Sequence, residues 1–193
     1  MVPWCVLATP SVFLPRVLLI WGTIQIEPLS VGVHSVATLA QLKTGQTVAV
    51  WGAGPVGLLC MAVAKALGAS RIVAVDINQA RLDFAKSYAA TDIFLPPALK
   101  AGEDKADYSK RAAEALREAL GVKDRGPNAI DVVIEASGAE VSIQTALYIV
   151  KTGGTYVQVL CSETHVSSSL NLIGISRLEW VSPKSWSLSL CYW

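Results

Sequence analysis

Between residues 27 and 160 the chain alternates short, unbroken apolar runs with longer stretches whose apolar positions recur at helical spacing. The runs at Thr47–Trp51, Arg71–Val75, Ile130–Glu135 and residues 155–160 are rich in Val, Ile and Ala, with a shorter one at 92–95. Such continuous runs are typical of parallel strands buried on both faces. Helical patterns separate them at residues 29–42, 56–67, 79–89 and 141–150. A further one carries Tyr108, Ala112, Ala115, Leu116, Ala119 and Leu120 and is stopped by Gly121. In the 79–89 helix, Leu82, Phe84 and Ala85 are the expected inner face. Turns are expected at Lys43-Thr44-Gly45, Gly126-Pro127 and Gly153-Gly154. Strand alternating with helix predicts an α/β fold, a doubly wound parallel sheet of the Rossmann type with five recognisable strands. A sheet of this kind has six. The weak apolar pattern at 170–175 marks the place expected for the last.

The first strand runs straight into Gly52, Gly54 and Gly57, and Asp76 closes the second strand nineteen positions later. A strand, a GxGxxG turn, an apolar helix ended by Gly68 and an acid at that distance together form a dinucleotide site. Gly52 makes the tight turn, Gly54 lets backbone approach a pyrophosphate, and Gly57 lets the helix pack on the strand. Pro55 fits the first helical turn, where its missing N–H costs nothing and the free N–H groups favour an anion. A carboxylate at Asp76 accepts ribose hydroxyls and repels a 2′-phosphate, so NAD is the expected cofactor. Arg81, a helical turn beyond, either lines the adenine edge, pairs a phosphate or lies on a solvated helix face. Ser137-Gly138 stands on the loop after the fourth strand, which faces the ligand crevice in such sheets; Lys151 is expected in a loop after the last helix.

Charge narrows the partners. Sixteen basic and fifteen acidic residues give a net charge of +1 with no basic patch, which argues against nucleic acid and for a small molecule. Cys5, Cys60, Cys161 and Cys191 show no metal-type spacing, and Cys60 reads as core packing. Although 52% of residues are hydrophobic, the longest N-terminal candidate for a membrane segment, residues 17–21, is far short of the roughly 20 apolar residues a span needs. No membrane association and a cytoplasmic location are expected, and a secretory signal is poorly supported. His34 follows an apolar stretch and is expected as a core histidine satisfied by backbone; His165 has no assigned role.

The flanks differ from this middle. Residues 1–26 hold one charged side chain, residues 161–193 are rich in Ser and Trp, and five of the six tryptophans fall in these two stretches. They are read as atypical flanks around a 27–160 cofactor domain with a leading helix, either as poorly ordered tails or as non-native coding sequence. Exposed Trp and Leu are unusual in a disordered tail, which favours the second reading.

The stretch EPLSVGVHSVATLAQLKTGQTVAVWGAGPVGLLCMAVAKALGASRIVAVDI, with DVVIEASGA and GGTYVQV further on, resembles zinc-containing medium-chain dehydrogenases. Within that family it is most similar to polyol dehydrogenases of the fungal xylitol type, with sorbitol and arabinitol dehydrogenases nearby. The resemblance implies NAD-dependent oxidation of a secondary alcohol of a polyol. It assigns Gly52, Gly54, Pro55, Val56 and Gly57 to the pyrophosphate, Asp76 to the ribose and Arg81 to the adenine side. It also places Ala136, Ser137 and Gly138 beside the cofactor, brings Val159 to the nicotinamide through backbone, and matches Glu27 to an acidic residue at the catalytic zinc. Members use a zinc to polarise the substrate hydroxyl. Their other zinc ligands lie upstream, and residues 1–26 contain no His, Asp or Glu, so zinc is not expected to be retained here. An inactive NAD-binding fragment or interaction module is the alternative to the dehydrogenase, and exposed apolar surface makes a homo-oligomer possible.

Overall fold

A computed structural model describes residues 26–160 and 177–180. A first helix, α1, covers residues 26–33 and continues as a π-helical segment at His34–Leu39. It is followed by β1 (Thr47–Trp51), α2 (Pro55–Ala66), β2 (Arg71–Val75), α3 (Gln79–Tyr88) and β3 (Asp92–Phe94). The second half runs α4 (Lys105–Leu120), β4 (Ile130–Glu135), α5 (Glu140–Ile149), β5 (Val150–Gln158) and β6 (Arg177–Trp180).

The six strands form one sheet in the order β3-β2-β1-β4-β5-β6, and every neighbouring pair is parallel. This is the strand order of the doubly wound dinucleotide fold. Successive residues of a strand point to opposite faces, so an unbroken apolar run fills two cores at once. Val48, Val50, Ile72, Ala74, Val132 and Ile134 pack with α1, α2 and α3 on one side. Ala49, Trp51, Val73, Val75, Val133 and Tyr156 pack with α4 and α5 on the other. Cys60 is fully buried in the first layer, as expected, and burial pushes its thiol up to about 12.

Several local expectations need correction. Phe84 is 55% exposed and stacks on Tyr88, one turn on, with ring centroids 5.8 Å apart. The inner face of α3 is filled instead by Leu82 and Ala85, three positions apart. Ala119 is exposed, while Ser109 and Ala113 face inward. His34 is exposed, because the π-helical turn buries Ser35 and Val36 instead. β5 begins at Val150, so Gly153-Gly154 lies within its bounds, in an irregularity where residues 151–154 stand opposite Asp131 alone and Gly153 has φ +79. Lys151 therefore stands in β5, paired with Asp131. The sixth strand is found at Arg177–Trp180, where it pairs with Thr155 to Gln158. The candidate at 170–175 lies outside the described residues, as do residues 17–21, Cys5, Cys161, Cys191 and His165. Among the described residues no helix is long and apolar enough to cross a membrane.

Candidate cofactor site

The strand ends set the site. Trp51 is in register with Val75 on one side and with Glu135 on the other, so the loops after β1, β2 and β4 leave the sheet at one level. The Gly52 N–H donates to the Val75 carbonyl at 2.8 Å, and the Ala136 N–H donates to the Trp51 carbonyl at 2.8 Å. Strand order reverses between β1 and β4, which is where an open α/β sheet leaves a crevice for ligands. Here that crevice has a volume of about 360 Å³. Gly52, Gly54, Asp76, Arg81, Ala136 and Ser137, all expected from sequence, line it.

The glycine turn is built by exclusion. Gly52 has φ +92, and a Cβ there would lie 2.8 Å from the Ala136 carbonyl oxygen. A Cβ on Gly57 would fall 1.8 Å from the Gly52 carbonyl oxygen, so the first turn of α2 rests directly on the turn backbone. Gly54 is different in kind: nothing lies within 4 Å of its Cβ position, and its φ of −80 is open to any residue. It caps α2, Pro55 occupies the first turn, and no side chain fills the N-terminal capping role. The positive end of the helix is thus left facing open space beside the crevice.

Asp76, 8% exposed, is bound by backbone on both carboxylate oxygens. Oδ2 accepts the Ala53 N–H at 2.7 Å and Oδ1 accepts the Asn78 N–H at 2.8 Å. The acid that ends β2 therefore anchors the glycine turn that ends β1. Arg81 Nη1 lies 3.9 Å from Asp76 Oδ2, its side chain 60% exposed at the start of α3, which Asn78 caps by accepting the Arg81 N–H.

The other wall comes from the β4–α5 loop. Glu135, fully buried, accepts from the Ser137 N–H at 3.0 Å, the Ser137 hydroxyl, the Gly138 N–H at 3.0 Å and Gln158 Nε2 at 2.8 Å. Burial pushes its carboxyl above the usual carboxylate range, and these donors hold it part of the way back. Neither Glu135 nor Gln158 stood out in the sequence; an acid closing the apolar run Val132–Ile134 was the available signal.

The remaining expected residues are near rather than in the crevice. Val56 and Gly57 form the first turn of α2, and Gly138 is held by Glu135. Val159 is buried, with its N–H given to the Glu135 carbonyl at 2.9 Å. Pro55 lines a separate apolar groove of about 400 Å³ together with Pro28, Leu29, Leu58, Phe84 and Tyr88. Glu27 is exposed in the first turn of α1, next to Pro28. Crevice residues that the sequence left unmarked include Ile77, 83% exposed beside Asp76, and Pro96. Pro96 follows β3 on a loop whose Glu103 takes a bidentate pair of bonds from Arg111, at 2.8 and 2.7 Å.

Among the described residues no three His, Cys, Asp or Glu side chains converge as metal ligands. Glu27 by itself does not make a zinc centre. The dinucleotide fits better: the tightly stacked turn, the open backbone at Gly54 and the uncapped helix end suit a pyrophosphate.

Sheet order, crevice and glycine turn together define a Rossmann-type α/β domain of the dinucleotide-binding class. Residues 55–181 match the model of the zinc-binding dehydrogenase family, and the chain belongs to that family. It is 53% identical over 132 residues to the Probable D-xylulose reductase A of Aspergillus clavatus, covering 68% of this chain and 33% of the relative. It is 52% identical over 132 residues to the D-xylulose reductase A of Aspergillus niger, with the same coverage. The chain thus spans about a third of the length of the curated relatives it matches. Among solved structures, 2R,3R-butanediol dehydrogenase from Bacillus subtilis superposes with a TM-score of 0.64 at 26% identity, covering 87% of this chain and 46% of that one.

Proposed function

We propose that this chain is the cofactor-binding part of an NAD-dependent polyol dehydrogenase that oxidises a secondary alcohol of a xylitol- or sorbitol-type substrate. The observation that carries the reading is the turn in which Gly57 stacks on Gly52 while Gly54 faces open space and Asp76 anchors Ala53. Gly52, Gly54 and the first turn of α2 would hold the pyrophosphate; Asp76 would receive the adenosine ribose and Arg81 would flank the adenine. Ala136, Ser137, Gly138 and Val159 would border the nicotinamide end. Bound NAD supplies the hydride acceptor, and the protein's own contribution is to hold and orient it and to exclude water. Likeness to the xylulose reductases supports the substrate class. A dinucleotide fold with a buried free thiol at Cys60 fits a cytoplasmic setting, and exposed Ile26, Leu29 and Phe84 favour self-association.

Calorimetric titration of the purified chain with NAD and NADP tests this. Binding of NAD, with NADP at least tenfold weaker, is expected; no binding at millimolar NAD, under conditions where a full-length relative binds, would refute it. A second reading is an NAD-binding module without turnover. Stoichiometric zinc together with xylitol-dependent NADH formation would eliminate that one.

A further inference from the structure

The buried polar groups at the ends of β4 and β5 form a chain with one direction. Tyr156 is 2% exposed, and burial, with the nearby Glu135 charge, pushes its phenol well above its ordinary range, so the hydroxyl keeps its proton. It donates to Gln158 Oε1. That bond fixes which way the Gln158 amide points: its Nε2 is left to donate to Glu135 Oε2 at 2.8 Å and to the Leu160 carbonyl. Glu135 passes the order on to Ser137 and Gly138. The Glu135 carbonyl also receives the Val159 N–H at 2.9 Å, so one residue ties the loop after β4 to the end of β5.

A buried carboxylate is expensive, and an apolar side chain at the end of β4 would serve core packing better. The donors to Glu135 come from Ser137 and Gly138 of the β4–α5 loop and from Gln158 of β5, and none of them from a helix. We propose that Glu135 and Gln158 form a buried clamp that positions residues 136–138, of which Ala136 and Ser137 line the cofactor crevice, against Val159 just after β5. Glu135 is a positioning residue: it touches the wall and not the ligand. The inference rests on the reading that the crevice takes NAD.

The pair can be inverted. In E135Q an amide NH2 is turned toward other donors, and in Q158E two carboxylates meet; the double variant E135Q/Q158E restores one donor facing one acceptor between the pair, while the bond to the Leu160 carbonyl stays lost. Titration of the full 193-residue chain with NAD should give a dissociation constant about tenfold weaker in each single variant and only about threefold weaker than the parent in the double. Asp131→Asn, at the other end of β4, should lower the melting temperature and leave the constant unchanged. Y156F removes only a hydroxyl and keeps the core shape, so it reports even where the charge variants fail to fold; about threefold weaker binding is expected. Parental affinity in Y156F and in every single variant that folds, or a folded double no better than its singles, would overturn the clamp while leaving NAD binding in place. A parent chain that does not bind NAD would overturn both, which separates the two failures.

Discussion

Gly57→Ala tests how closely the helix after β1 is seated on the glycine turn. The added methyl would sit 1.8 Å from the Gly52 carbonyl oxygen, 3.0 Å from the Gly52 carbonyl carbon and 3.6 Å from Val50 Cγ1. The first of these is roughly 1.6 Å short of ordinary contact, and the obstacle is backbone, so no rotamer change relieves it. The turn is also hemmed on its other side, where Ala136 leaves no space for a Cβ on Gly52. Replacing Gly by Ala in a helix ordinarily stabilises by about 0.5–1 kcal/mol. Overpacking against rigid neighbours costs about 1–3 kcal/mol and here must exceed that gain. A net loss of about 2 kcal/mol corresponds to roughly 4–8 °C in melting temperature for a chain of this size. Thermal denaturation followed by circular dichroism measures it. A G57A variant as stable as the parent, with undiminished NAD binding, would refute the close seating and the reading of the glycine built on it.

The other glycine should behave oppositely. Gly54→Ala meets nothing within 4 Å, so its melting temperature should stay within about 2 °C of the parent while the NAD dissociation constant rises at least tenfold in calorimetry. Asp76→Asn keeps one acceptor for the two N–H groups of Ala53 and Asn78, so it should destabilise by about 1–3 kcal/mol in denaturant titration and narrow the preference for NAD over NADP. Glu103 is held by Arg111, and secondly by the Lys100 N–H, at about 2 rather than its ordinary 4.5. Its contribution is therefore present above 4.5 and lost as pH falls toward 2, so stability measured from pH 5 to 2 should fall less steeply in Glu103→Gln, and the difference should shrink in high salt.

The legible parts of the molecule were those whose reasons are local. β1, β2 and β4 lie at the residues their apolar runs predict, because each run is buried on both faces and bounded by glycine, aspartate or alanine turns. Phe84 and His34 failed for the same kind of reason: each depends on the phase of an element against its neighbour. One step around α3 exchanges Phe84 for Ala85, and the π turn in α1 shifts every later residue of that helix. At Gly153-Gly154 the pairing with β4 is interrupted, with residues 151–154 opposite Asp131 alone and Gly153 at φ +79. In the site, the glycine turn and Asp76 carry a signature because their spacing is fixed by one βαβ unit. Glu135 and Gln158 are 23 positions apart on adjacent strands, and only the register of β4 against β5 sets them opposite each other.

That register also separates what stabilises the fold from what shapes the crevice. Past Trp51, Val75 and Ile134 polar contacts join the strand ends: Ala53 to Asp76 between the loops after β1 and β2, Ser137 to Glu135 within the β4–α5 loop, and Gln158 to Glu135 between β5 and β4. A truncation inside the layers, at fully buried Leu116 for example, removes apolar contact and costs about 2–5 kcal/mol wherever the strand ends point. A change among the polar contacts costs less in folding energy but moves loop backbone against loop backbone at the crevice wall. Burial raises the Glu135 carboxyl, so its charged form opposes folding while its hydrogen bonds order the wall. Neutralising it relieves the first effect and forfeits the second. Melting temperature and cofactor affinity should therefore part company at Glu135, whereas at Leu116 a loss of stability carries no change in the wall.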